Sequence, residues 1–138
     1  MGVKALGYVI VESAQSARWD HFMTQVVGAM RAPDAADGAL QFRIDQRPFR
    51  FRIESGSRDH FTAAGYEVAD VAALAALAEA VAKAGRPVEQ GSADAAALRG
   101  VTAFFKTSDP AGNGLEFYHG DSVADTPFVS PLGVPEFI

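Results

Sequence analysis

The sequence predicts an α+β fold: two βαβββ modules pairing into one curved mixed sheet, with two helices on the outer face. Three observations predict it. Two amphipathic helical stripes occupy matching places in the two halves of the chain. Each follows an apolar strand and precedes segments that alternate apolar and polar residues. The strand-to-helix entries also recur at one spacing, with Ala63 lying 63 − 8 = 55 residues after Tyr8 and Asp70 lying 70 − 15 = 55 after Gln15. A half of about 60 residues is marginal alone, so the two are expected to join their sheets and cover one face with both helices. The expected boundaries are a single domain over residues 1–122, with modules at about 1–57 and 58–122, and a Pro-rich apolar strap over 123–138.

In order, Val3 to Val11 reads as a buried strand, and Ser13 or Ser16 can cap the helix that follows. Trp19, Phe22, Met23, Val26, Val27 and Met30 recur at helical spacing as one stripe, and Gly28 and Pro33 mark its exit. Met30 to Ala35 reads as a short edge strand. Leu40 to Ile44 alternates, Asp45-Gln46-Arg47-Pro48 turns, and Phe49, Phe51 and Ile53 then alternate with Arg50, Arg52 and Glu54. This is a hairpin with one apolar and one basic face. After the polar loop Ser55 to Asp59, Phe61 to Val68 is a strand. Asp70 caps a helix whose Leu74, Leu77, Ala78 and Val81 form the second stripe, and Gly85 and Pro87 stop it. Gln90 to Gly100 reads as loop or a short edge element. Val101 to Lys106 and Leu115 to His119 form the last hairpin.

Composition narrows the function. The chain has 138 residues, one ordinary domain, with no cysteine, so disulfides and thiolate metal sites are excluded and nothing argues for an oxidising compartment. A formal net charge of -5 argues against a general nucleic-acid binder. No signal-peptide pattern opens the chain and no apolar run approaches the ~20 residues of a membrane span. A cytoplasmic location is the expectation.

The last hairpin holds the residue of most interest. Asp109-Pro110 opens its turn, and Gly112, Asn113 and Gly114 tolerate a tight reversal. Leu115 and Phe117 then point to one face, Glu116 and Tyr118 to the other. A carboxylate on a concave inner face is either a ligand or a charge that needs a partner. Arg50 or Arg52, on the corresponding strand of the first half, are the expected partners in an ion pair.

Two βαβββ units ending in Asp109-Pro110-x-Gly112-Asn113-x-x-Glu116-Phe117 resemble the vicinal oxygen chelate superfamily, which includes the glyoxalases and bleomycin-resistance proteins. The quoted segments Leu6-Gly7-Tyr8, Phe42-Arg43-Ile44-Asp45, Ala64-Gly65-Tyr66-Glu67-Val68-Ala69-Asp70, Arg99-Gly100-Val101-Thr102 and Glu116-Phe117-Tyr118 sharpen the likeness. Together they resemble the N-terminal domain of type I extradiol ring-cleavage dioxygenases, the 2,3-dihydroxybiphenyl 1,2-dioxygenase group, from about Val3 to Gly120 and on into the tail. The resemblance implies a two-domain enzyme in which O₂ cleaves a catechol ring beside its hydroxyls. The Fe(II), held by two His and one Glu, lies in a C-terminal domain. It implies no cofactor in this chain, Fe(II) in the full-length enzyme, and a catalytic C-terminal domain of the same polypeptide as partner. A homo-oligomer is expected, and a catecholic substrate only in the full-length enzyme.

Mapped onto this sequence, the superfamily's ligand positions are Tyr8, Ala63 and Glu116. Ala63 cannot coordinate, a neutral phenol is a poor match for Fe(II), and Arg50 or Arg52 near the fourth inward place opposes a dication. No metal and no catalytic residue is therefore expected in this chain, and Glu116 is expected in a cleft ion pair or solvated. His60 and His119 lie three residues from Ala63 and Glu116, an odd offset that turns them from the cleft. His21 lies off its helix stripe. The alternative function is a stand-alone, metal-free binding protein of the same superfamily, holding a planar aromatic ligand between walls drawn from Tyr8, Tyr66 and Tyr118. A metal-dependent glyoxalase or lyase is disfavoured by the missing ligands. Pro127, Pro131 and Pro135 among Phe128, Val129, Leu132, Val134, Phe137 and Ile138 read as an extended strap lying on the domain, where the family resembled runs its interdomain linker.

Overall fold

A computed structural model describes residues 2–138. The strands are β1 Val3–Ser13, β2 Met30–Arg31, β3 Leu40–Arg43, β4 Phe51–Ser55, β5 His60–Val68, β6 Glu89–Gln90, β7 Ala103–Ser108 and β8 Gly114–His119. The helices are α1 Ser16–His21, α2 Val71–Lys83 and α3 Ala93–Arg99, and a π-helical segment, Phe22–Val27, continues α1. The eight strands are mixed in direction. Pairs β1–β4 and β5–β8 are parallel, while β2–β3, β3–β4, β6–β7 and β7–β8 are antiparallel.

The chain divides into two units that are not its linear halves. One comprises the chain up to Tyr8 together with Thr62–Asp121; the other comprises Val9–Phe61 and Ser122–Ile138. Strand β1 passes from the first into the second. In the Tyr8 unit the strand order is β1-β5-β8-β7-β6, and in the other it is β2-β3-β4-β1. Each unit repeats one plan: a first strand lies parallel to the last strand of its hairpin, which runs antiparallel to the strand before it, and a two-residue strand ends the row.

Each unit has its own apolar core. In the Val9–Phe61 unit Met23, Ala29, Phe42 and Ile53 are buried together, with Trp19, Val27 and Phe51 packed against them. The expected single stripe along the first helix is broken there. The chain winds as a π-helix from Phe22, and the N–H of Gly28 reaches back to the carbonyl of Met23. A wider turn rotates residues spaced for an α-helix off the core face, so Phe22 and Val26 stand 47% and 61% exposed. Gly28, in the left-handed region at φ 84°, ends the segment. Neither expected serine caps α1: Gln15 occupies that position, while the Ser13 hydroxyl accepts from the Gln15 N–H.

In the Tyr8 unit, Val68, Leu74 and Phe105 are buried with Leu77, Ala78, Val81 and Phe117 against them, so the α2 stripe is core. Asp70 caps α2 as expected, its carboxylate accepting from the Ala73 N–H at 2.8 Å. Asp70→Ala should cost about 1 kcal/mol, read as a lowered midpoint in thermal melts, with Asp70→Ser recovering most of it. A third helix, α3, occupies most of residues 90–100, in place of the expected loop or short edge element, and only Gln90 belongs to an edge strand, β6. Ser92 caps α3 and Gly100 ends it at φ 66°. The sequence-based expectation of two helices is corrected accordingly, and the last hairpin begins at Ala103.

The basic face of the β3–β4 hairpin is not solvated. Arg43, Arg47 and Arg52 are buried beside buried Phe42, Phe49 and Ile53. Arg43 donates to the carbonyl of Asp45 and to the hydroxyl and carbonyl of Thr126, which latches the tail to its own unit. Ser130 donates to the Gly28 carbonyl at 2.6 Å, and Phe128 meets Phe137 edge-on. The Pro-rich segment is thus a strap laid on the Val9–Phe61 unit.

Candidate functional site

Glu116 lies in the middle of β8, opposite Gly65 of β5 and Lys106 of β7. Alternation puts Leu115 and Phe117 on the α2 side, where Phe117 meets Phe105 and Tyr66. Glu116 and Tyr118 take the other side, and both are buried. The Glu116 carboxylate is held by two groups. Arg99 of α3 forks onto it, Nε to Oε2 at 2.5 Å and Nη2 to Oε1 at 2.7 Å. The Tyr8 hydroxyl of β1 donates to Oε2 at 2.6 Å.

Each partner is itself fixed. Arg99 donates from Nη1 to the Ala95 carbonyl one turn back and sits 4.4 Å from the centre of the Phe104 ring. The Tyr8 ring stacks on Tyr118, centroids 5.4 Å apart and planes within 24°. It also lies directly on the backbone of Gly65, where a Cβ would come within 2.2 Å of the Tyr8 ring. That contact explains the Ala64-Gly65-Tyr66 segment: only a residue without a side chain lets the ring reach Glu116.

Glu116 is in an ion pair, but the expected partner is corrected. Arg50 forks onto Asp45, with Nη2 to Oδ2 at 2.6 Å. Arg52 is committed to Asp37 and, at 3.0 Å, to Glu54. The group on Glu116 is Arg99, a residue that strand alternation could not find because it comes from a helix. The signal was present as Ser92, an alanine-rich run and Gly100, which together read as cap, helix and stop.

Register makes Arg52 the counterpart of Glu116. Arg52 stands opposite Ile10 on β1, and Glu116 stands opposite Gly65 on β5, with 65 − 10 = 55, the repeat spacing. The two units therefore bury opposite charges at equivalent places. One neutralises an acid with Arg99, and the other neutralises a base with Asp37 and Glu54.

The three positions to which the resemblance points for a metal, Tyr8, Ala63 and Glu116, do not fit one here. Glu116 has both oxygens engaged by Arg99, Tyr8 spends its proton on the same carboxylate, and Ala63 offers a methyl group. A guanidinium against the only carboxylate would repel a dication. Among the described residues, no three His, Asp or Glu converge as a metal site. His21 is exposed, and His60 and His119 occupy the outer ends of β5 and β8. The three-tyrosine aromatic cleft is not formed. Tyr8 and Tyr118 are buried on each other, and Tyr66 packs on the opposite side with Phe117.

Residues 6–56 match the family described as Dihydroxybiphenyl dioxygenase BphC D1. The whole chain aligns with the biphenyl-2,3-diol 1,2-dioxygenase of Paraburkholderia xenovorans (strain LB400), 40% identical over 139 residues, covering 100% of this chain and 46% of that protein. A crystal structure of a catechol 2,3-dioxygenase superposes on the domain with a TM-score of 0.88 at 30% identity, covering 99% of this chain and 48% of that one. A relative from Rhodococcus jostii (strain RHA1), 29% identical over 96% of this chain and 44% of its own length, is named an iron-dependent extradiol dioxygenase. The chain spans about half the length of the curated relatives it matches. The chain keeps the vicinal oxygen chelate fold of these neighbours, with a salt bridge at its inner acidic position.

Proposed function

We propose that this chain is the non-catalytic first domain of an extradiol catechol dioxygenase. The Fe(II) and the substrate-binding groups would be supplied by a catalytic domain of the same polypeptide. The observation that carries the reading is the buried clamp of Arg99 and Tyr8 on Glu116. It commits the Glu116 carboxylate, the Tyr8 hydroxyl and the Arg99 guanidinium to one another and leaves no open coordination position on Glu116. The role left to the chain is architectural: to pack against the catalytic half and to contribute to a homo-oligomer.

The test compares two proteins, this chain and the product of its gene read beyond Ile138. Each is reconstituted with Fe(II) under anaerobic conditions and given O₂ with 2,3-dihydroxybiphenyl or 3-methylcatechol. The longer protein should form the yellow ring-fission product, and this chain alone should form none. Ring fission by this chain alone would overturn the reading. Arg99→Met within the longer protein should lower its melting temperature while leaving kcat/KM of the surviving folded enzyme within about twofold, because Arg99 would not touch substrate.

A further inference from the structure

A cavity of about 350 Å³ lies in the Val9–Phe61 unit, lined by Ser13, Gln15, Arg18, Trp19, Phe22 and Asp59. Its walls combine two aromatic rings with one carboxylate. Trp19 and Phe22 meet edge to face, centroids 6.1 Å apart and planes at 88°. Phe22 is the first residue of the π-helical segment, and that winding holds its ring out of the core. Such segments recur at functional sites.

Asp59 is fixed in place on one oxygen only. Its Oδ1 accepts from the Ser13 hydroxyl at 2.7 Å and from the Ala14 N–H at 3.1 Å. The Ser13 hydroxyl bond, with the Ala14 amide, holds the Asp59 carboxyl below the usual carboxylate range, so it is ionised at neutral pH. Among the described residues, Oδ2 accepts no hydrogen bond. The one cation of the lining, Arg18, is turned onto Gln15, Nη1 to Oε1 at 2.7 Å.

We propose that this cavity binds an arylalkyl ammonium ion, its ring against Trp19 and Phe22 and its ammonium on Asp59 Oδ2. The ring faces attract both an apolar body and a cation, and the ionised carboxylate supplies a charge-assisted hydrogen bond. A neutral ligand would forgo the carboxylate, and an anionic one would be repelled by it. This site is separate from the Glu116 clamp and does not depend on the dioxygenase reading.

Trp19 is the sole tryptophan of the chain and lines this cavity, so its fluorescence reports binding there. Titration with phenethylamine at neutral pH and low salt should give a saturable change with Kd of about 1 mM. Phenethyl alcohol and phenylacetate, of the same size, should bind at least about fivefold more weakly. Asp59→Asn keeps the acceptor for Ser13 and Ala14 while removing the charge, and should weaken the amine by a similar factor, about fivefold. The wild-type ligand series stands on its own should the variant fold poorly. Equal binding of alcohol and amine, undiminished binding of the amine by folded Asp59→Asn, or no saturable change with the amine would each overturn the proposal.

Discussion

Arg99→Met is expected to destabilise the chain by about 3–5 kcal/mol, the cost of leaving a buried carboxylate without its counter-charge. Glu116 is 2% exposed and Arg99 7%, so water cannot take the place of the guanidinium without the fold opening. The Tyr8 hydroxyl would remain as a single donor to a full negative charge. Urea denaturation checks the value, with an unchanged slope showing that the loss is one of stability. The double variant Arg99→Met, Glu116→Gln should recover most of it, since a neutral amide can still accept from Tyr8. A loss under about 1 kcal/mol in the single variant would mean that solvent reaches Glu116, and that the clamp does not hold the inner face.

Gly65→Ala should cost about 1–3 kcal/mol by overpacking. The added methyl meets the Tyr8 ring at 2.2 Å, well inside van der Waals contact. Strand β5 cannot retreat, because Ala63 to Glu67 are in register with Gly114 to Tyr118. The ring cannot retreat either, being stacked on Tyr118 and hydrogen-bonded to Glu116. In a Tyr8→Ala background the same substitution should cost under about 0.5 kcal/mol, a coupling that a double-mutant cycle in urea reads directly. Equal costs in both backgrounds would place the strain elsewhere.

Much of the architecture was legible because it rests on local signals. Asp70 as a cap, the α2 stripe, and the Asp109 turn all follow from spacing and from residues with few backbone options. In that turn the Asn113 side chain and amide both donate to the Asp109 carboxylate and hold it below its ordinary range. The units were less legible. Pattern along the chain assigns residues to halves, whereas β1 serves one unit up to Tyr8 and the other from Val9. The π-helical winding at Phe22 was hidden because an apolar stripe reads the same whether or not its turns widen. For Glu116, alternation correctly gave the face and the need for a cation, and then supplied the wrong one. The arginines on a strand of equivalent number were already spent on Asp45, Asp37 and Glu54. Only the helix bounded by Ser92 and Gly100 brings in Arg99.

The reversal of sign between Arg52 and Glu116 bears on how a duplicated polypeptide sorts itself while folding. Two copies of one motif invite the final hairpin strand of either to dock in the framework of the other, a trap that repeated sequences share. Here the exchange is penalised twice: Arg52 beside Arg99 would bury like cations, and Glu116 would be buried against the partly exposed carboxylates of Asp37 and Glu54. Pairing β4 and β8 with their own first strands is the arrangement in which Arg52 and Glu116 each meet opposite charge. The repeated plan is thereby kept in the backbone and broken in the electrostatics.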